Sequence, residues 1–421
     1  MHTLKRRLTP LILATAALAA ATAVPAAAAA PPGPAFVVSS PALNTTTPNT
    51  TALNTAALDA AVALAPGDRM SGQLARVSTP DQVWQGSSTN AFTGRKISPD
   101  AHFHIGSMSK TFVAVVLLQL QAEHRVDLDQ TVQHYLPGTL PASYPPITVR
   151  QLLNHTSGLP AMSFGIPNPT VDQVLDERLD YFTFDEIIRS SLFPADGSTP
   201  PLHFAPGTEQ EYSSLGYRVA GAIIEQVTGR SFADEVTARV LRPLQLNRTS
   251  APAGDLRMPR PALHGYVTDS TGRPVDVTEQ ADDSGAMIST AADLDHFVTA
   301  LYGGRLLAPA QLDEMFALPQ DSNGKPVRYV DGSDCNTGPA AGEACYGVGL
   351  KTIALPDGTV LWGKTGHDLG YAGGVFATRD LRLRVVYDAG TASSDSAGTP
   401  ALVNRLIAAV LSPRQSPTDA H

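Results

Sequence analysis

A serine and a lysine three residues apart form the first pair in the chain whose side chains could do chemistry together. Ser107 and Lys110 lie in the stretch FHIGSMSKTF, where an apolar run ends at Gly106 and a helical pattern follows. Residues at i and i+3 of a helix share one face, close enough for direct proton transfer. Serine before an apolar periodic run is also a common N-cap, so the pair alone does not distinguish a nucleophile from a helix start.

Two further stretches supply groups that would make such a pair reactive. Tyr212 lies in PGTEQEYSSLGY, just before a helix pattern, and LWGKTG ends a strand pattern with Lys364, Thr365 and Gly366. A tyrosine near Lys110 and Lys364 would be favoured as phenolate relative to its ordinary pKa of about 10, and could act as a general base. A helix-flanking aromatic and a strand-end turn are the plainer interpretations, but the three elements in this order favour nucleophilic catalysis.

Other patterns that could carry chemistry are weaker. A second Ser/Lys match, SNGK at 322–325, lies in an Asn-Gly turn and is regarded as chance. No G-x-S-x-G elbow occurs, which argues against an α/β-hydrolase. His102 and His104 have strand spacing, but no HExxH and no evident third ligand accompany them, so neither a metal nor another cofactor is expected. Asn154 and His155 in LNHTSG are interpreted as residues that order a loop rather than as catalysts.

The elements that must position these groups change in character along the chain. A helix is predicted near residue 55, strands at 72–77 and 81–86, and a buried helix from Ser107. Helical patterns follow, and short β-rich stretches occupy 346–390 before a last helix. We therefore predict an α/β (α+β) fold, with an antiparallel sheet completed by both chain ends, flanked by N- and C-terminal helices, and interrupted by a mostly helical insertion.

The predicted domain boundaries follow from this pattern. The main domain spans 55–412, divided into a sheet subdomain (55–105 plus 280–412) and a helical subdomain (106–279), with a tail at 413–421.

The N-terminal region has the composition of a targeting segment. A basic start at 5–7, an apolar stretch at 8–24 and small residues near 27–30 predict a signal peptide over residues 1–30. Residues 31–54 are rich in Pro, Ser, Thr and Asn, as is typical of a flexible linker. We therefore expect a secreted monomer without a stable membrane anchor.

Charge and cysteine content restrict the partners. The net charge is −9, and no run of Lys and Arg is interleaved with aromatics, so nucleic acid is not an expected partner. The two cysteines, Cys335 and Cys345, are expected to form a disulfide in an oxidising exterior. A metal pair or a reactive thiol is the alternative.

As a whole the sequence resembles the penicillin-recognising serine hydrolases of the class C β-lactamase and secreted DD-carboxypeptidase type, which include esterases and D-aminopeptidases. The resemblance runs from about Leu64 to Leu411. It rests on FHIGSMSKTF, VDLDQTVQHYLPG, ITVRQLLNHTSGLP, PGTEQEYSSLGY, MISTAADLDHF and GKTGHDLGYAGG. It implies a β-lactamase/transpeptidase-like fold.

The resemblance also implies catalytic roles. Ser107 matches the acylated nucleophile, Lys110 the group that accepts or relays its proton, and Tyr212 the general acid/base. The backbone N–H groups of Ser107 and His367 match the oxyanion hole, which stabilises the tetrahedral intermediate.

Substrate-binding residues are implied in the same way, with two departures from the family pattern. Lys364, Thr365 and Gly366 match the strand motif that binds substrate and biases the tyrosine. Ser214 stands where the family usually has an Asn that holds the acyl-side amide. His367 stands where a hydroxyl residue often grips the substrate carboxylate, and its imidazole either replaces that grip or favours an uncharged ester.

The activity implied is that of a secreted serine hydrolase working through an acyl-enzyme. D-amino-acid peptides such as cell-wall D-Ala-D-Ala ends are the expected substrates, which makes it a carboxypeptidase-like enzyme. A β-lactam or an ester, hydrolysed by a β-lactamase or a carboxylesterase, is the alternative. A non-catalytic β-lactam or wall-fragment binder is a different class of function, and the joint presence of the four key residues, Ser107, Lys110, Tyr212 and Lys364, counts against it.

Overall fold

The computed structural model describes residues 52–166, 169–281, 285–330, 335, 341–391 and 399–412. The predicted signal peptide, the predicted linker up to residue 51 and the predicted tail at 413–421 lie outside the described residues.

The strands fall into one large sheet and several short pairs. In chain order they are β1 Met70–Ser78, β2 Val83–Ser87, β3 Phe103–His104, β4 Glu209–Gln210, β5 Tyr266–Thr268, β6 Pro274–Asp276, β7 Ile288–Ser289, β8 Arg328–Tyr329, β9 Lys351–Ala354, β10 Val360–Asp368, β11 Tyr371–Ala377 and β12 Arg384–Thr391.

The helices lie mainly between the two groups of sheet strands. They are α1 Thr55–Val62, α2 Ser109–Ala122, α3 Val132–Tyr135, α4 Val149–Leu153, α5 Val171–Glu177, α6 Phe184–Leu192, α7 Ser214–Thr228, α8 Phe232–Val236, α9 Ala291–Tyr302, α10 Pro309–Phe316 and α11 Thr399–Leu411. Thr237–Leu241 continue α8 as a π-helical turn.

The large sheet has the strand order β2-β1-β12-β11-β10-β9, six strands among the described residues, and every pair is antiparallel. Strand β1, from the N-terminal part of the chain, pairs with β12 near its C-terminal end. The predicted sheet completed by both chain ends is therefore confirmed.

Apolar side chains cover both faces of this sheet. On one face, α1 and α11 pack through buried residues such as Leu58 and Leu402 onto Trp84, Phe376 and Tyr387 of the strands. Fully burying a Leu or Phe side chain stabilises a fold by roughly 1.5–3 kcal/mol, so the packing of these two helices on the sheet stabilises the domain.

Helix α2 lies in the core on the opposite face and is buried on all sides from Ser109 to Leu118, as its apolar sequence predicts. The ring of Phe112 stacks on Phe297 of α9 with centroids 3.9 Å apart. Helix α2 begins at Ser109, two residues later than predicted, because Gly106–Met108 form a 3₁₀ turn first. No side chain caps this start, so the N-cap interpretation of Ser107 is wrong.

Among the helices of the described ranges, none is long and apolar enough to cross a bilayer.

Candidate active site

The turn Gly106–Met108, called here the Ser107 turn, is pressed against strand β10. Gly106 has φ +46°, and a Cβ at this position would overlap the backbone of His367. A Cβ on Gly366 would in the same way overlap the carbonyl oxygen of Ile105. Only glycine permits this approach of two backbones, which brings the main chain of Ser107 beside that of His367.

Two side chains converge on the hydroxyl of Ser107. The Nζ of Lys110 donates a hydrogen bond of 2.9 Å to Oγ of Ser107. The Oη of Tyr212 lies 2.6 Å from the same Oγ. Ser107 is half-buried, whereas Lys110 is only 6% exposed, so the lysine is shielded and the serine remains reachable. The arrangement provides a nucleophile with two groups positioned to move its proton.

Local structure fixes Tyr212 just before α7. Ser213 caps this helix, because its Oγ accepts a 3.1 Å hydrogen bond from the backbone N of Gly216. The backbone N of Tyr212 donates to the Oη of Tyr329 at 3.1 Å. The tyrosine is therefore held by its main chain while its ring extends to Ser107.

The charge around Tyr212 is positive. The Nζ of Lys364 lies 4.6 Å from the centre of its ring, and that of Lys110 lies 5.4 Å from it. Burial raises the pKa of Tyr212, but the charges of Lys110 and Lys364 and hydrogen bonds from Ser107 and Lys110 outweigh it and lower the pKa from 10.0 to about 7. A tyrosine with this pKa can accept and return a proton near neutral pH.

His155 packs against the tyrosine, a contact at the site that the sequence did not predict. Its ring centroid lies 4.7 Å from that of Tyr212, and its Nδ1 accepts a 3.1 Å hydrogen bond from the backbone N of Ser213. Burial, together with the charges of Lys364 and Lys110, holds the pKa of His155 well below its usual value. The imidazole therefore stays neutral and supports Tyr212 without competing for its proton. The HTSG sequence predicted a loop-ordering residue, and nothing in it indicated contact with Tyr212.

A cleft of about 400 Å³ opens beside Ser107. Lys110, Ser214 and His367 line it, so both departures from the family pattern, Ser214 and His367, face the same space. The lining includes the apolar side chains Val113, Met162, Phe164, Phe182 and Phe184, and also charged side chains such as Glu177, Arg178 and Asp180.

The strand motif divides between the interior and the surface. Lys364 is buried, and its Nζ donates to the carbonyl of Thr365 at 3.2 Å. Thr365 and His367 are exposed on either side of the buried Gly366. The structure thus brings Ser107, Lys110, Tyr212 and Lys364 into one cluster, with the remaining predicted residues at its edge.

Cys335 and Cys345 form a disulfide with Cα atoms 5.4 Å apart. They pack with two tyrosines, Tyr329 and Tyr346, against Tyr212. Within the described ranges, no three His, Cys, Asp or Glu residues are grouped so that they could hold a metal ion.

Comparison with known proteins agrees with this geometry. The family model described as Beta-lactamase matches residues 58–420. Since that match covers most of the sequence, the chain belongs to the Beta-lactamase family, a family of serine hydrolases.

Particular relatives differ in what they are described as doing. A D-stereospecific amidohydrolase from Streptomyces sp. superimposes with a TM-score of 0.68 at 30% identity, covering 85% of this chain and 98% of that one. Penicillin-binding protein 4* of Bacillus subtilis is 24% identical over 273 residues, which are 59% of this chain and 55% of the relative. Esterase EstB of Burkholderia gladioli is 34% identical over 158 residues, 36% of this chain and 38% of the esterase. The chain thus spans about half, or less, of the length of these two curated relatives.

Proposed function

We propose that this protein is a serine hydrolase that forms an acyl-enzyme on Ser107 and cleaves amide bonds following a D-amino-acid residue. The D-Ala-D-Ala ends of cell-wall peptides, cleaved by a carboxypeptidase-like reaction, are the expected case. The observation that carries the proposal is the convergence on one hydroxyl of Lys110 Nζ at 2.9 Å and Tyr212 Oη at 2.6 Å.

Acylation follows from this arrangement. Tyr212, ionised near neutral pH, accepts the proton of Ser107 while Oγ attacks the substrate carbonyl. The developing oxyanion is held by the backbone N–H groups of Ser107 and His367, which the contact between the Ser107 turn and β10 brings close. Tyr212 then returns the proton to the leaving amine, and Lys110 stabilises the phenolate and relays the proton between steps.

Deacylation uses the same residues in reverse. A water takes the place of the amine, Tyr212 accepts its proton, and the ester bond to Ser107 is cleaved as its Oγ is reprotonated. No other catalytic group is needed.

The substrate side of the proposal rests on the cleft and on one relative. One relative that this chain covers almost completely is described as a D-stereospecific amidohydrolase. Phe164 and Phe182, whose ring centroids are 5.2 Å apart, and Met162 form an apolar wall that suits a large apolar side chain on the acyl residue. We further propose that the protein is secreted, since its N-terminal residues have signal-peptide composition and cell-wall peptides lie outside the membrane.

The test is a comparison of initial rates with D- and L-aminoacyl p-nitroanilides carrying Phe or Ala, and with a diacetylated Lys-D-Ala-D-Ala peptide. We expect D over L by at least about tenfold, D-Phe above D-Ala, and no turnover by Ser107→Ala. Phe164→Ala should lower D-Phe turnover and leave D-Ala turnover nearly unchanged. Equal rates for the two enantiomers would contradict the D-amino-acid proposal.

Ester hydrolysis is the second candidate, favoured by one observation. Ser214, at the first turn of α7, lines the cleft where an amide side chain would hold an acyl-side amide. The shorter hydroxyl leaves that group without a direct partner, and a simple ester does not need one. If p-nitrophenyl acetate is hydrolysed and all amides resist, whereas Ser214→Asn gains amide turnover, the esterase is the correct function.

A further inference from the structure

A buried cluster lies next to Tyr212. It consists of Tyr329, Cys335, Cys345 and Tyr346, called here the cystine cluster, and the ring of Tyr212 packs against it. The rings of Tyr212 and Tyr346 have centroids 5.6 Å apart. Both cysteines are at most 1% exposed, so the disulfide is part of the packing around the tyrosine.

Gln210 ties this cluster to the strand that leads into Tyr212. Its Oε1 accepts from the backbone N of Cys345 at 3.0 Å and of Tyr346 at 3.1 Å. Its Nε2 donates to the carbonyl of Tyr346 at 2.8 Å and to that of Asn154 at 2.7 Å. The carboxamide is fully buried and uses both of its ends, so it fixes the Cys345–Tyr346 backbone against residue 210.

Cys335, the other half of the disulfide, follows strand β8 in the chain, and β8 also contacts the segment around Tyr212. Strands β4 and β8 are parallel, with Gln210 opposite Tyr329, and the backbone N of Val330 donates to the carbonyl of Gln210 at 3.0 Å. Tyr329 accepts the hydrogen bond from the backbone of Tyr212. Cys335 therefore follows the strand whose Tyr329 holds the main chain of Tyr212. Cys345 directly precedes Tyr346, whose ring packs on that of Tyr212.

Tyr346 also contacts a cation that acts on Tyr212. The Nζ of Lys364 lies 5.6 Å from the centre of the Tyr346 ring and 4.6 Å from that of Tyr212. Lys351 Nζ lies 5.4 Å from Tyr346. Since the interaction of two charges falls with their separation, a shift of Tyr346 alters how strongly Lys364 stabilises the phenolate.

We propose that the Cys335–Cys345 disulfide, acting through Gln210 and Tyr346, positions Tyr212 and Lys364 for proton transfer. The two cysteines, Gln210 and Tyr346 are positioning residues, since none of them touches the hydroxyl of Ser107. The inference rests on the proposed function, in which Tyr212 carries the proton.

The experiment measures the pH dependence of acylation, from the p-nitrophenyl acetate burst between about pH 5 and pH 10. In the Cys335→Ser/Cys345→Ser double variant, we expect the low-pH midpoint of the acylation rate to rise by about one unit and the rate at pH 7 to fall about fivefold, with recovery at pH 9. Tyr346→Ala in the chain with the intact disulfide should do the same, so the test survives a double variant that does not fold. Tyr346→Phe keeps the aromatic ring and should have the same midpoint as wild type.

A stability control separates positioning from a general loss of folding. Leu58→Ala, in the layer of α1 and α11, should lower the melting temperature and leave the midpoint unchanged. If the double cysteine variant and Tyr346→Ala fold and keep the wild-type midpoint, the inference is overturned. The proposed acyl-enzyme on Ser107 would still be supported by the burst of the wild-type protein. A wild-type chain that forms no acyl-enzyme would instead overturn the proposed function, and this inference with it.

Discussion

The ammonium nitrogen of Lys364 lies 4.6 Å from the centre of the Tyr212 ring, on the strand that presses against the Ser107 turn. The lysine is only 3% exposed, so solvent and salt screen its charge much less than they would at the surface. Against the effect of burial, Lys110 and Lys364 bring the pKa of Tyr212 to about 7. The pH dependence of acylation is therefore the property that reports most directly on this relationship.

Removing the charge of Lys364 should move the acylation profile to higher pH. Without that cation the phenolate is less favoured, so the pKa of Tyr212 rises from about 7 toward 10, and the base is protonated at neutral pH. Lys364→Gln should raise the low-pH midpoint of the acylation rate by about one to two units and lower the rate at pH 7 about 5- to 50-fold.

The p-nitrophenyl acetate burst measures this, with Lys325→Gln as the control that removes an exposed lysine. An unchanged midpoint in Lys364→Gln would show that Lys364 does not set the pKa of Tyr212.

Adding a methyl group to Gly366 should separate β10 from the Ser107 turn. The new Cβ would overlap the carbonyl oxygen of Ile105, and the strand must shift, taking the backbone N–H of His367 with it. Loss of one oxyanion donor costs about 10²–10³ in kcat. For Gly366→Ala we expect a fall of that order in kcat with a smaller change in KM, measured well below the melting temperature. A folded Gly366→Ala with wild-type kcat would contradict the assigned oxyanion hole.

Much of the fold could be predicted from the sequence because its pieces have strong local patterns. The alternating and apolar stretches of β1 and β10–β12 predicted the strands of the sheet. The apolar sequence of α2 predicted that this helix is buried. Strands β3 and β7 escaped prediction, because each has two residues and forms only by pairing Phe103 and His104 with residues far along the chain. Pairs this short leave no period in the sequence.

The candidate site was predicted as a set of residue types, together with the effect of Lys110 and Lys364 in favouring the phenolate of Tyr212. The order of Ser107, Lys110, Tyr212 and Lys364 indicated a reaction. The neutral state of His155 and the support from Tyr346 depend on burial and on contacts between distant segments. The same is true of the start of α2 at Ser109, where the close approach of β10 to Gly106 accompanies a 3₁₀ turn.

Asp388 on β12 should make stability depend on pH. Both carboxyl oxygens are buried and lack a hydrogen-bond partner among the described residues. Burial, and to a lesser extent the charge of Asp368, raise the pKa of Asp388 well above 3.8. The folded chain thus keeps a proton that the unfolded chain has lost, and the free energy of unfolding falls as pH rises above 3.8 toward the folded pKa.

The Asp388→Asn variant removes this titration. The difference between its free energy of unfolding and that of wild type should therefore shift in favour of the variant from pH 5 to pH 8. Urea unfolding at both pH values measures the gain, with the exposed Asp176→Asn as control. A difference from wild type that is equal at the two pH values would contradict a protonated Asp388.

The most direct test of the account is to trap the acyl group itself. The protein is mixed with p-nitrophenyl acetate, quenched in acid during the burst, and measured by intact mass and peptide mapping, beside Ser107→Ala and Ser322→Ala. The account predicts one acetyl group, on the peptide that contains Ser107, in wild type and Ser322→Ala, and none in Ser107→Ala. An acetyl group on another residue, or one that persists in Ser107→Ala, would contradict the assignment of Ser107 as the nucleophile.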